Sequence, residues 1–450
     1  MNNDAFEMPE FMAYWTSKEK AEFAFQLLRT LPTHETIRVI DRLSPYLRYD
    51  IISQLPYEIA LHIFSLLDGQ SLAQASQVSR YWKRLGSEQL LWKNLFEIHG
   101  WKVDHDEIHT FLHTHTPVPI QRKPIKQPQQ QKSMDWKTLY KNRLELQKRW
   151  LSGSCKVENF PPESAHLHSE GIYSLQFDKH TLVTGSRDRS IKLWDLATGH
   201  CRLQLNGHQG SVLCLQYDGQ QVISGSSDAT VIIFDLQTGQ PKRILRGHQD
   251  SVLGVRIVRE NLILSCSKDR TLRLWHRETG ELVRIFQGHR AAVNAVQWKD
   301  DRIVSASGDR TVKIWNLDTG ECLNTLTGHT RGVACVECDG KHIVTGSSDQ
   351  TIKVWDAITG ECIYTLFGHT ELVRTIQFDS TASLIISGCY NGQLKIWSLT
   401  EGRLIRDLGQ ATDGRILNLK FDCARIMCCS NSTQVVIYNF AHGIDTRFLL

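Results

Sequence analysis

One pair of residues, Gly-His, returns through the last two thirds of the chain at a nearly fixed interval. It stands at Gly207-His208, Gly247-His248, Gly288-His289, Gly328-His329 and Gly368-His369, with steps of 40, 41, 40 and 40 residues between successive histidines. A second mark keeps the same time. An aspartate lies six residues before an aromatic in Asp188/Trp194, Asp228/Phe234, Asp269/Trp275, Asp309/Trp315 and Asp349/Trp355, and Asn391/Trp397 and Ser432/Tyr438 continue the series in softened form. Seven units result, from about residue 168 to 440. Inside a unit, alternating runs such as 332–336, 342–346, 351–355 and 361–366 are separated by turn residues, among them Cys338-Asp339-Gly340 and Thr359-Gly360. That is the pattern of half-buried strands. A sheet of four such strands cannot cover both of its faces, so units must stack on either side, and a period near 40 closes them into a ring. The recurring His, Asp and Trp are expected to form a polar set wired across each unit and holding it together.

These marks and their spacing resemble the WD-repeat propeller family. The ring needs a fourth strand for its last unit, and two segments compete for the place: residues 155–160, before the first repeat, and the tail 444–450. A chain of 450 residues is long enough for two or three domains, and 41% hydrophobic content supports a real core. A formal charge of +4 is small for this length and points away from nucleic acid. No apolar run is long enough to span a membrane, and the start, Met1-Asn2-Asn3-Asp4, is unlike a secretory signal. Twelve cysteines lie scattered, mostly at strand positions, so a reducing compartment, cytosol or nucleus, is the expected setting. Cys335 and Cys338 form a lone C-x-x-C on a strand and read as ordinary strand cysteines.

The first third of the chain is helical in pattern. Thr16 and Glu19 have capping-box spacing, and Phe23, Leu27 and Leu28 follow on one face until Pro32. Ile37, Ile40, Leu43 and Leu47 repeat the pattern. Two helices of this kind, residues 11–50, seldom make a core alone and are expected to dock or to pair with a second copy. Residues 51–100 run Leu55-Pro56, a helix with Ile59, Ile63, Leu66 and Leu67, an Asp68-Gly69 turn, a second helix with Leu72, Ala75 and Val78, then Arg80-Tyr81-Trp82 and Leu90-Leu91-Trp92. This order resembles the F-box. The resemblance implies that Leu55, Pro56, Ile63, Leu66, Leu72 and Val78 help to bind the Skp adaptor. His105, His109, His113 and His115 have helical spacing, but no Cys or acidic cluster completes a site, so no metal or other cofactor is expected. Residues 101–134, with four prolines and a glutamine run, read as a flexible linker, and 135–151 as a stalk helix leading into the propeller at 152–450. The expected architecture is multidomain, α plus all-β: a small helical F-box module joined by a helical stalk to a seven-bladed WD-repeat β-propeller.

This order of modules resembles the F-box/WD-repeat proteins, substrate receptors of SCF (Skp–cullin–F-box) ubiquitin ligases. The resemblance implies a chain without catalytic residues that joins a cullin-RING core to phosphorylated substrates. The sequence agrees in having no phosphate loop, no His-Glu-x-x-His and no Gly-x-Ser-x-Gly. Cations cluster beside the marker aspartates, at Arg187, Arg189, Lys268, Arg270 and Arg310, and near the starts of innermost strands, at Arg331, Arg374 and Arg415. In a ring such positions converge on one end of the channel, where guanidinium groups suit a phosphate or an acidic patch. The strings 211–217, 266–270, 288–294, 305–311, 331–335 and 371–374 most resemble the propeller of the β-transducin-repeat-containing F-box proteins. The F-box is nearer to that of the cell-division-control group. The first likeness implies that a phosphopeptide meets Tyr173, Arg187, Ser211, Ser227, Leu253, Asn294, Gly308, Arg310, Arg331, Gly332, Ala334, Ser348, Leu372, Arg374 and Arg415. A WD-repeat scaffold outside any ligase, with a helical half that only dimerises it, is the alternative expectation.

Overall fold

The computed structural model describes residues 10–12, 14–47, 50–113, 134–162, 167–410, 412 and 414–449. The chain divides into two compact units, residues 1–95 and 96–450. In the first unit α1 (Ser17–Thr30) opens on the expected capping box, with the Thr16 and Glu19 side chains each bonded to the other residue's backbone N–H. After Pro32 comes α2 (Thr33–Leu47). Three of the next four helices carry side-chain N-caps: Asp50 for α3 (Ile51–Gln54), Asp68 for α5 (Gly69–Ala75) and Ser79 for α6 (Arg80–Leu85). Each cap satisfies a backbone N–H that the helix leaves unpaired, a gain of about 1 kcal/mol. The uncapped one, α4 (Tyr57–Ser65), begins right after Pro56. Its Phe64 is buried and meets the Trp82 ring edge-on at 5.4 Å, while the Trp82 indole donates to Asp50 at 3.0 Å. Then α7 (Gln89–Ile98) buries Leu91 and Trp92, whose indole donates to Gly86 O at 2.9 Å.

In the second unit the segment read as linker is ordered at its start. Residues His105–His113 form α8, Val103 bridges Leu449, and Lys179 of the ring pairs with Asp104 at 2.7 Å and Glu107 at 2.6 Å. Two carboxylates on adjacent turns, facing one lysine, fix a stretch whose composition gave no core. The rest of that expected linker, 114–133, lies outside the described residues, as does His115. Among the described residues no group of three or more His, Cys, Asp and Glu is placed to hold a metal. Asp135 caps α9 (Trp136–Ser152), which buries Leu139, Tyr140, Leu146 and Trp150 and ends on Gly153 with φ 77°, a left-handed cap that glycine adopts without strain.

From there the chain builds seven four-stranded antiparallel sheets, blades one to seven, arranged as a ring. The first runs Ile172–Phe177, Thr181–Ser186, Ile191–Asp195 and Cys201–Leu205, innermost to outermost. Blades two to six repeat that order. The seventh takes Asn418–Phe421, Arg425–Cys429 and Val435–Asn439, and Lys156–Phe160 supplies its outermost strand, pairing Lys156 with Asn439 and Phe160 with Val435. So the segment before the first repeat closes the ring, and the tail instead packs beside Val103 and Asp104. The core lies between blades. Phe160, Met427 and Val435 of the seventh bury against Ile172, Leu182 and Trp194 of the first, and a like cluster fills each junction from the first blade to the sixth. Burial of about 1.5–3 kcal/mol per large apolar side chain is what makes adjacent sheets hold each other.

Candidate functional site

Within a blade the chain leaves one end of the ring along the innermost strand, returns along the second, and turns into the third at the end where it began. The marker residues tie that end together. In the fourth blade His289 Nδ1 meets Asp309 Oδ2 at 2.8 Å, His289 Nε2 meets Ser305 Oγ at 2.8 Å, and the Trp315 indole donates to the same hydroxyl at 2.8 Å. Asp309 also accepts from the N–H groups of Arg290 and Thr311 at 2.9 and 3.0 Å. The same quartet recurs with Thr184, Ser265 and Thr345 as the node in blades one, three and five, and in blade two with Ser224 but no indole, Phe234 standing in the Trp place. The hydroxyl node was missed from the sequence, though it keeps the same phase in the first six units; the seventh has Cys428 there. Burial alone would raise the Asp309 carboxyl, but hydrogen bonds from Thr311, Arg290 N–H and His289 outweigh it and bring it to about 2.

The quartets fix the turn that carries the expected ligands. The N–H before each marker donates to the backbone at the start of the innermost strand of its own blade: Arg187 to Gly171, Ser227 to Ser211, Gly308 to Ala292, Ser348 to Gly332 and Tyr390 to Leu372, all at 2.9–3.0 Å. Arg189, Arg270 and Arg310 follow their markers with φ 71°, and Ala229 and Gln350 share that left-handed conformation at 64° and 70°. It therefore belongs to the turn and not to the arginines. Arg331, Arg374 and Arg415 sit at or just before the innermost strands of blades five, six and seven. All fifteen residues expected to meet a phosphopeptide thus belong to one end of the ring.

They are not equivalent there. Tyr173, Leu253, Asn294, Ala334 and Arg374 line the central channel, a cavity of about 90 Å³. Asn294 Nδ2 donates across to Val333 O of the next blade at 2.7 Å, and Arg374 Nη1 to Ala334 O at 3.3 Å. Gly332 and Gly308 touch between blades: a Cβ on Gly332 would stand 3.1 Å from Gly308 Cα. A side chain on Gly332 would force that rim apart. Arg310 and Arg331 are exposed, and among the described residues neither has a carboxylate within ion-pair distance. Arg187 differs, its Nε lying 2.9 Å from Glu170. The Arg415 guanidinium lies 5.1 Å from the Tyr390 ring centre, which adds Tyr390 to the rim. Deeper in the channel, Arg256 donates to Gln297 at 2.9 Å and lies 3.7 Å from Glu337, as does Lys420. These occupy the strand position at which Gln176 and Gln377 bond the next blade's backbone. The network was legible as a repeated Gln position with three departures, Arg256, Glu337 and Lys420.

At the other end of the ring, first-to-second-strand turns and third-to-fourth-strand turns receive α9. Trp150 stacks on Phe440 at 4.0 Å and donates to Cys423 O at 2.9 Å, and Arg149 Nη1 donates to Phe440 O and His442 O at 3.1 and 2.7 Å. In the helical unit Ile59, Ile63 and Leu66 line one face of α4 and its end, and all are exposed, Leu66 at 76%. Val78 and Pro56 are exposed and Leu55 half-buried. Leu72 is the exception among the six residues expected at an adaptor surface. It is 0% exposed and serves the helical core with Ala60 and Leu85.

The F-box-like family model matches residues 52–98. The WD domain, G-beta repeat model matches 162–195, 199–235, 239–276, 280–316, 320–356 and 360–398; each match holds the three inner strands of one of the first six blades and, from the second on, the outermost strand of the blade before. The chain is similar to the probable E3 ubiquitin ligase complex SCF subunit sconB of Arthroderma otae, 33% identical over 34% of this chain and 24% of the relative. It is similar to an F-box protein of Saccharomyces cerevisiae, 32% identical over the same shares. F-box and WD repeat domain-containing 11-A of Danio rerio is 35% identical over 44% of this chain and 36% of the relative. The matches thus span about a quarter to a third of the length of these curated relatives. Among solved structures, the computationally designed Ika8 protein superposes with a TM-score of 0.51 at 26% identity, covering 61% of this chain and 98% of that one.

Proposed function

The chain belongs to the F-box/WD-repeat family, and from that premise we propose that it is the substrate-recognition subunit of an SCF ubiquitin ligase. The helical module holds the Skp adaptor and through it the cullin-RING core, and the propeller holds the substrate. The chain itself performs no chemistry; it brings a target to a transferring partner. The reading rests on one observation: an exposed apolar helix face, Ile59, Ile63 and Leu66, and a ring end gathering Arg187, Arg310, Arg331, Arg374 and Arg415 occur in one polypeptide. Two of the similar proteins carry "SCF subunit" or "F-box protein" in their names, which supports the adaptor half.

The ligand we assign to the ring end is a phosphorylated peptide. Guanidinium groups match phosphate oxygens in bidentate pairs. Ser211, Ser227 and Ser348 add hydroxyl donors, and Leu253 and Leu372 meet apolar peptide atoms. We place the protein in the cytoplasm or nucleus, where such ligases and twelve free cysteines are both at home. Residues 11–50 pair two copies. The decisive experiment is co-purification of tagged chain with the Skp adaptor and cullin. Intact chain brings both down, and Leu66→Asp, a change at an exposed position that leaves the core alone, reduces recovery at least tenfold. An intact chain that retains neither adaptor nor cullin ends this reading.

A further inference from the structure

On the ring end opposite the cationic rim, α9 roofs a cavity of about 420 Å³ that the assigned functions leave unused. Its walls include Trp101, Trp150, Phe421 and Arg143, with Asp379 and Asp422 among the lining residues. Two observations make it a built site. Arg143 Nε is buried without a hydrogen-bond partner. Its guanidinium lies 5.7 Å over the Trp101 ring, and among the described residues no carboxylate stands within ion-pair distance of it. Burial pushes its pKa down, against the weaker pull of Cys423 and Asp379. The nearby carboxylates are engaged elsewhere. Asp379 accepts from Thr381 N–H at 2.7 Å, and Asp422 accepts from Ala424 N–H at 2.8 Å and pairs with Arg425 at 3.0 Å.

The aromatic walls are rigid before any ligand arrives. Trp150 is fixed by Phe440 and Cys423 O, and Trp101 stacks on His99 at 4.6 Å. A cavity of this size suits a small molecule and is too small for a folded partner. A guanidinium whose Nε donor is unpaired can take a planar carboxylate in a bidentate pair. Polyphosphates are disfavoured because two carboxylates already line the space.

We propose that this cavity binds a small aromatic monocarboxylate, its carboxylate on Arg143 and its ring against the tryptophan walls. The test is calorimetric titration of the full chain with 2-naphthoate, beside the neutral twin 2-naphthalenemethanol and inorganic phosphate. Naphthoate is expected to bind saturably and to quench tryptophan fluorescence. The twin and phosphate are expected to bind at least tenfold more weakly. Arg143→Gln and, independently, the cavity-filling Ala382→Trp are each expected to cost at least tenfold in naphthoate affinity, with melting still cooperative. Absence of saturable naphthoate binding to the full chain overturns the proposal, as does equal affinity for the twin or for phosphate. If Arg143→Gln does not fold, Ala382→Trp decides: undiminished binding there places naphthoate outside the cavity and overturns the assignment.

Discussion

Arg374 reaches the channel lining already tethered to the Ala334 carbonyl, and Arg310 has its backbone set by a turn that a hydrogen-bonded quartet fixes. Little side-chain freedom remains for a ligand to remove at Arg374, so its charge would meet a phosphate of the proposed ligand at low entropic cost. Arg310→Ala and Arg374→Ala should each weaken a doubly phosphorylated peptide by about 1.5–3 kcal/mol, the range for hydrogen bonds to charged groups. Fluorescence anisotropy against the unphosphorylated peptide measures this, and equal affinity for the two peptides ends the assignment. Arg187→Ala should cost less, because Glu170 already competes for that guanidinium. The cations themselves were legible, since the repeat phase locates them to the residue. Glu170 was not, because it precedes the innermost strand, outside the marks. Nor was the burial of Leu72: on a short helix, apolar residues at helical spacing look alike whether they face a core or a partner.

A blade is a sheet with one polar wire, and the sixth blade shows what the wire does. There Asn391 replaces the marker aspartate and bonds Thr370 at 2.8 Å, so His369 keeps its 2.6 Å contact to Ser387 but has a buried Nδ1 with no partner. Asn391→Asp should restore the missing acceptor and stabilise the ring by about 0.5–1.5 kcal/mol, read as a rise in melting temperature, with an unchanged or lower value counting against the role given to the quartet. The quartets also set the acid response. Burial pushes His248, His289 and His329 below their ordinary value against the pull of their aspartates, and burial with Lys395 brings His369 to about 4. Hydrogen bonds bring Asp269 and Asp349, like Asp309, to about 2 despite burial. Both kinds of group bind protons more readily when unfolded, so both stabilise the fold at high pH and lose that contribution as pH falls. The histidine share should fade from about pH 6.5 toward 4 and the aspartate share from about 3.8 toward 2. A melting series that holds level or rises between pH 6.5 and 4.5 would refute this account. His, Asp and Trp announced themselves by spacing; the Ser or Thr that joins them is too common a residue to stand out in one sequence.

At the scale of the molecule, two closures organise the chain. The ring closes because Lys156–Phe160 pairs with a strand more than 270 residues later, a choice that alternation alone left open between two segments. It leaves the cationic rim and α9 on opposite ends of the propeller, so a bound substrate and the stalk do not compete for surface. The second closure, which we propose, is between copies. The α1 helix buries none of its residues, and Phe25, Leu27, Ile37 and Ile40 are each more than half exposed. Helices of 14 and 15 residues are marginal in water without an apolar face to cover, so a second copy of the same pair is the partner that every molecule can supply. Sedimentation of the full chain should give about 103 kDa, twice the 51.5 kDa of one chain. Ile37→Glu with Ile40→Glu should return it to one chain's mass, because two charges would then lie in the contact. Adaptor recovery should survive those changes, since the α4 face is separate from them. A full chain that sediments at 51.5 kDa near 10 µM, or a double variant that stays at twice that mass, would remove residues 11–50 from any pairing role.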